Sequence, residues 1–139
     1  MQRLEVTDSP APSARAVIAD CLLAFNEASL GPTGIQPLAI LLYSDDGSEV
    51  IGGLWGRTSF QWLFVELLFI PVELRSQGLG AQILQKAEAE AKRRGCQGAW
   101  LDTFISTAVR FYKRCGYQPF GTISNYPPGA ARYFVLKVL

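Results

Sequence analysis

The apolar positions of this chain change period several times, and each change marks an element. Val17, Ile18, Cys21, Leu22 and Phe25 recur at helical spacing between Ala14 and Ser29. A Ser-Pro-Ala-Pro-Ser break precedes that helix, and Gly31-Pro32-Thr33-Gly34 closes it. Ahead of the break, residues 2–7 alternate weakly and are read as a first strand. Pro37 to Tyr43 is a short apolar run and Val50 to Thr58 its return strand. Between them Asp45-Asp46-Gly47-Ser48 has hairpin-turn composition. Trp62 to Ile70 is the most apolar stretch, interrupted only by Glu66, and is expected at the centre of a sheet covered on both faces.

The period then returns to that of a helix. Leu79, Ile83, Leu84, Ala87 and Ala91 share one face; Lys86, Glu88, Glu90, Lys92 and Arg93 share the other. Gly95 stops this helix. Ala99 to Thr103 reads as a strand. Ser106 is placed to cap a short helix with Ala108, Phe111, Tyr112 and Cys115 on its apolar face, and Gly116 ends it. Residues 117–123 and 131–139 read as two last strands joined by a Pro-Pro-Gly loop. The order is roughly βαββ followed by βαβαββ, a mixed α/β fold in a single domain over residues 1–139.

Composition narrows the functional classes. Hydrophobic residues make up 49% and charged residues 18%, with a net charge of +1, the balance of a compact folded chain. A nucleic-acid surface needs a basic surplus that this chain lacks. With no histidine, Ser-His and Cys-His nucleophilic sites and His-ligated metals are excluded. Cys21, Cys96 and Cys115 form no CxxC pair, so they read as reduced, mostly buried thiols of a cytoplasmic protein, with no metal. The first residues carry charge where a signal peptide has an apolar core, and no apolar run spans a membrane.

One segment carries candidate chemistry. Arg75-Ser76-Gln77-Gly78-Leu79-Gly80 joins the most apolar strand to the amphipathic helix. A helix start offers unpaired amides and a positive dipole end, glycines let an anion approach the backbone, and Arg75 adds a formal charge. Those features suit a pyrophosphate. The loop is neither a GxxxxGK[ST] nor a full GxGxxG fingerprint, and an ordinary tight connection is the alternative.

Arg75 to Gly80 resembles the Q/R-x-x-G-x-G/A acetyl-CoA signature of the GNAT superfamily of N-acetyltransferases. Glu66-Leu67-Leu68-Phe69-Ile70 is similar to that family's central strand. Ala108 to Tyr117 resembles its second signature, A-x-x-hydrophobic-Tyr-x-x-x-Gly-Phe/Tyr. The resemblance implies a mixed, mostly antiparallel central sheet flanked by helices. It further implies direct transfer of acetyl from acetyl-CoA, with no metal, to a primary amine, a small-molecule acceptor in preference to a protein. In the family, pantetheine pairs with the central strand, here the backbone of Leu68, Phe69 and Ile70, and the pyrophosphate sits on Arg75, Ser76, Gln77, Gly78, Leu79 and Gly80. Many members have Asn at the position of Ile105, with Ser106 a loose substitute for its cofactor contact. Asp and His of similar small bacterial sequences are replaced by Asn125 and Ala130.

Tyr112 matches the family's general acid for the departing thiolate, with simple core packing as its alternative role. Glu66, placed by alternation on one strand face with Leu68 and Ile70, is read either as a buried base for the substrate ammonium or as a partner of an Arg such as Arg57. Trp55, Trp62, Tyr126 and Tyr133 are candidates for an acceptor cleft. A non-catalytic acyl-CoA-binding module and a protein or peptide N-acetyltransferase are the rival readings, and self-association into a homodimer is left open.

Overall fold

The computed structural model describes all 139 residues. The chain divides into two compact units, residues 1–33 and 34–139.

The first unit is built on helix α1 (Pro12–Leu30), with Pro12 in its first turn where no amide is missed. At its end the Glu27 carboxylate accepts from the Thr33 amide at 2.8 Å and the Thr33 hydroxyl at 3.2 Å. The strand expected over residues 2–7 is not formed: these residues are exposed and the sheet contains no partner for them. Their alternation was weak, and a strand needs a neighbour to satisfy its backbone. Cys21 is exposed rather than buried, because no residue of α1 is buried.

The second unit holds a six-stranded sheet: β1 (Gln36–Tyr43), β2 (Val50–Ser59), β3 (Trp62–Phe69), β4 (Gly98–Thr103), β5 (Gln118–Ser124) and β6 (Ala131–Val138). Their order across the sheet is β1-β2-β3-β4-β6-β5, and only β3 and β4 run parallel. The parallel pair needs a crossover, and helix α2 (Leu79–Arg93) supplies it. Helix α3 (Ser106–Arg114) follows β4. The β1–β2 turn is fixed by Asp46, whose carboxylate accepts from the Ser44 hydroxyl and from the Ser48 amide and hydroxyl at 2.7–3.0 Å. Those bonds hold its carboxyl down at about 2.

The core lies between one sheet face and the two helices. Leu38, Leu54, Leu63, Val65, Ala99, Leu101 and Val135 meet Ile83, Leu84, Ala87 and Ala91 of α2 and Val109 and Tyr112 of α3. Buried polar groups are paired. The Tyr117 hydroxyl donates to Glu88 at 2.8 Å, and Lys137 donates to the same carboxylate at 2.9 Å. Arg94 donates to the Thr58 hydroxyl at 3.0 Å and to the Pro37 carbonyl at 3.1 Å, tying α2 to the far edge of the sheet.

The opposite sheet face carries Trp55, Phe64 and Trp100, with Phe64 and Trp100 stacked at 4.2 Å. Within residues 34–139, helices cover only one face of β3, where its apolar run suggests two. Leu63 and Val65 are buried, but Leu67 and Phe69 are exposed. No helix is long and apolar enough to cross a membrane.

Candidate active site

β3 and β4 part company midway. Their parallel register runs from Trp62↔Gly98 to Val65↔Leu101 and stops there. Beyond it, β3 still pairs with β2 through Leu67, Leu68 and Phe69, and β4 still pairs with β6 through Asp102 and Thr103. A gap thus opens between two strands that each keep their outer neighbour. On its β3 side lies the backbone of Leu68 and Phe69, with Ile70 just past the strand.

The register explains the parting. Trp55 pairs with Leu67 and Gly56 with Val65, so Glu66 is an extra residue in β3. A bulge bends the strand that carries it and increases its twist. It also breaks strict alternation. Leu68 and Ile70 pack against the core, whereas Glu66 is exposed together with Leu67. The expectation that Glu66 shares a face with Leu68 and Ile70 therefore fails, as does the expectation that it is buried. Its expected partner Arg57 is placed over the Phe64 ring, 5.0 Å from the centroid, and no ion pair joins Arg57 to Glu66.

The gap leads to the glycine loop. A single 3-10 turn (Val72–Leu74) follows β3, then Ser76 and Gly78 take positive φ values of 63° and 80°. Left-handed residues beside ordinary ones turn neighbouring amides toward one side, a concavity suited to anions. Gly78 is the N-cap of α2 with no side-chain cap, so the first amides of the helix are free of side-chain partners. A Cβ on Gly78 would meet nothing nearer than Gln82 Nε2 at 3.9 Å, leaving the approach open. Gly80 has a different role from the one its motif suggests. A Cβ there would lie 3.0 Å from Phe111 Cζ, so this glycine lets α2 and α3 pack closely. Arg75 donates from Nε to the Ile70 carbonyl at 2.7 Å and lies over the Phe69 ring at 5.6 Å. It fixes the end of β3 at the mouth of the gap.

Tyr112 projects from α3 with its ring in the core, 6.0 Å from the Tyr117 ring. Burial pushes its phenol up to about 12, with the Cys115 thiol and the Asp102 carboxylate adding to the rise. No protein group hydrogen-bonds its hydroxyl, yet no sealed side-chain oxygen lacks a partner, so the hydroxyl reaches solvent. The ring is core and the tip is available. Tyr117, five residues on, is the structural counterpart: its hydroxyl is committed to Glu88, and burial followed by that carboxylate raises its phenol. Ser106 is the first residue of α3 and not its cap; Ile105 holds the cap position, its amide accepted by the Thr103 hydroxyl at 3.1 Å.

Of the four aromatics expected in an acceptor cleft, Trp55 and Tyr126 are exposed, at 50% and 43%. Trp62 lies over Gly98 at the closed end of the β3–β4 pair, and Tyr133 packs against the core. A different cluster sits past the last β3–β4 pair. Arg132 Nε donates to Asp102 at 2.8 Å, and its guanidinium is 5.4, 5.6 and 5.3 Å from the rings of Phe104, Tyr126 and Phe134. Sequence reasoning missed Asp102, Phe104, Arg132 and Phe134. The available signal was a lone carboxylate, Asp102, inside an otherwise apolar strand.

Residues 8–117 match the family model described as Acetyltransferase (GNAT) family. A protein of Agrobacterium fabrum named as an acetyltransferase is 41% identical over 125 residues, covering 90% of this chain and 88% of that one. Blasticidin-S acetyltransferase of Streptomyces morookaense is 39% identical over 92 residues, 66% of this chain and 68% of that one. A crystal structure of an acetyltransferase from Agrobacterium tumefaciens superposes with a TM-score of 0.94 at 36% identity, covering 99% of this chain and all of the other.

Proposed function

Because the chain belongs to the GNAT acetyltransferase family, we propose that residues 1–139 act as one N-acetyltransferase domain whose acceptor is the primary amine of a small molecule. The reading is carried by one arrangement: a gap between parallel strands that leads directly to an anion-ready helix start. The 39% identity to a protein named for blasticidin S supports a small-molecule acceptor.

The residues present fit acetyl-CoA, the family's acetyl donor, which supplies an activated thioester when bound. Backbone groups of Leu68, Phe69 and Ile70 along the open edge of β3 would hold an extended arm as an added strand does. The amides of Ser76, Gln77, Gly78, Leu79 and Gly80 would take its phosphates, and Ser106, the first residue of α3, would supply a further cofactor contact. Arg75 spends Nε on the Ile70 carbonyl, and its exposed guanidinium would offer its terminal nitrogens to the phosphates.

Tyr112 keeps its proton at neutral pH and offers it at a solvent-reaching hydroxyl. Donation to a sulfur gaining charge strengthens as the reaction proceeds, so it stabilises the transition state more than the ground state. Glu66, exposed on the bulge, accepts the proton of the incoming ammonium through water. The test is release of free thiol from acetyl-CoA with a panel of primary amines, with the acetylated product identified by mass. Tight acetyl-CoA binding without thiol release from any amine would make the chain a binding module instead.

A further inference from the structure

We propose that Asp102 and the rings of Phe104, Tyr126 and Phe134 form a receptor for a second cationic group on the acceptor, a receptor that Arg132 fills until the acceptor arrives. This rests on the transferase reading above and deepens it by naming the acceptor class: amines that carry a further ammonium or guanidinium.

The geometry has three parts. First, an arginine that only neutralises a strand carboxylate needs one good ion pair, and Arg132 has that at 2.8 Å. It also has three aromatic faces within 5.6 Å. Ring faces carry negative charge, so several rings about one point form a cation site. Second, the anion is the sheltered partner. The Asp102 side chain is 14% exposed and that of Arg132 30%, so the cation is the outer, exchangeable member. Phe104 and Tyr126 are half open to solvent, with their rings 5.3 Å apart. Third, the loop bearing Tyr126 is self-braced. Asn125 accepts from the Gly129 amide at 3.0 Å, and the Ala130 amide donates to the Pro127 carbonyl at 2.8 Å.

The position is that of an acceptor pocket. Asp102 is the first β4 residue past the last β3–β4 pair, at the gap itself. Its carboxylate is near enough to raise the Tyr112 phenol. An acceptor with two cations would present one amine at the gap and the other to Asp102. Arg132 would swing outward, and the carboxylate would exchange one partner for another without being left unpaired, which is the costly outcome for a sheltered charge.

The experiment is calorimetric titration of α,ω-diamines of three to six carbons, and of n-alkylamines of equal length, into protein saturated with coenzyme A. The wild-type protein should bind at least one diamine ten-fold or more tighter than its matched monoamine. Asp102→Asn should erase that difference. Arg132→Gln should strengthen diamine binding several-fold, because the resident competitor is gone. Opposite signs for the two variants separate a cation receptor from a structural ion pair, whose loss from either side would weaken binding alike. Should Asp102→Asn not fold, Tyr126→Leu replaces it and should reduce the preference. Equal affinities for diamine and monoamine, including no heat from either, overturn the proposal, as does weaker diamine binding in both Arg132→Gln and the carboxylate or ring variant. A diamine that binds with the expected preference but releases no thiol from acetyl-CoA overturns the transferase reading and leaves the cation receptor standing.

Discussion

Phe111 rests its ring edge where a side chain on Gly80 would be, with only 3.0 Å between Cζ and the position of a Cβ. That contact brings a side chain of α3 against the first turn of α2, beside the anion-ready loop. Gly80→Ala should force the Phe111 ring to give by a few tenths of an ångström, at a net cost of about 1 kcal/mol once alanine's better helix propensity is set against the crowding. Thermal melting would read the stability loss, and acetyl-CoA affinity should fall with it. Gly80→Ala combined with Phe111→Leu should recover part of both.

Tyr112→Phe and Tyr117→Phe should fail in different ways. The first removes a hydroxyl that no protein group binds, so the fold should persist while kcat and kcat/KM fall together by about 10–100-fold. The second leaves the buried Glu88 carboxylate with only Lys137 and should cost about 1–3 kcal/mol of stability with little effect on turnover. Steady-state thiol release run beside melting curves would separate them. Full activity in a stable Tyr112→Phe variant would return Tyr112 to a packing role.

Gly78→Asp should abolish calorimetric binding of acetyl-CoA and spare the fold. Asp tolerates the left-handed backbone better than most residues, and nothing crowds the new Cβ. Its carboxylate would face the donor's phosphates at the helix start. Unchanged affinity would remove this loop from the binding site.

Turnover should rise between about pH 6 and 9 as the acceptor amine loses its proton. Glu66→Gln should lower kcat/KM by roughly ten-fold, the modest size reflecting an exposed carboxylate acting through water. A wild-type rate in this variant would show solvent to be sufficient.

Alkaline pH should destabilise the protein through its tyrosines. The Tyr112 phenol is raised from an ordinary 10 to about 12, and Tyr117 is raised as well. A raised folded-state value favours folding fully below about pH 10, and that contribution is lost as pH climbs through the folded value. Tyr112 alone accounts for roughly 2 kcal/mol of loss by pH 12. Urea midpoints measured from pH 9 to 12 should fall steadily. Tyr112→Phe should flatten part of the slope.

The sequence was most readable where physics is local. The apolar stripe of α2, the turn at Asp46 and the strand–loop–helix order around Gly78 depend on neighbours within a few residues, and all three appear as expected. Glu88 departs from the polar face it was expected to share: it is buried, because Tyr117 and Lys137, distant in sequence, pair its carboxylate. Residues 2–7 failed because a strand depends on a partner that weak alternation cannot specify. Glu66 was assigned to the wrong face because counting by twos assumes no extra residue, and a bulge leaves no composition signal in an apolar run. Arg132 and Asp102 meet across 30 positions of sequence, on strands that are neighbours only because β6 inserts beside β4.

Glu66 therefore occupies two roles that can be separated. Its carboxylate is one chemistry among several that an exposed position can bear. Its place in the count is not exchangeable, since β3 spends two residues where β2 spends one, and the bend that follows opens the gap. For the fold alone, the position should tolerate many side chains but not a deletion, which would close the gap that the extra residue opens.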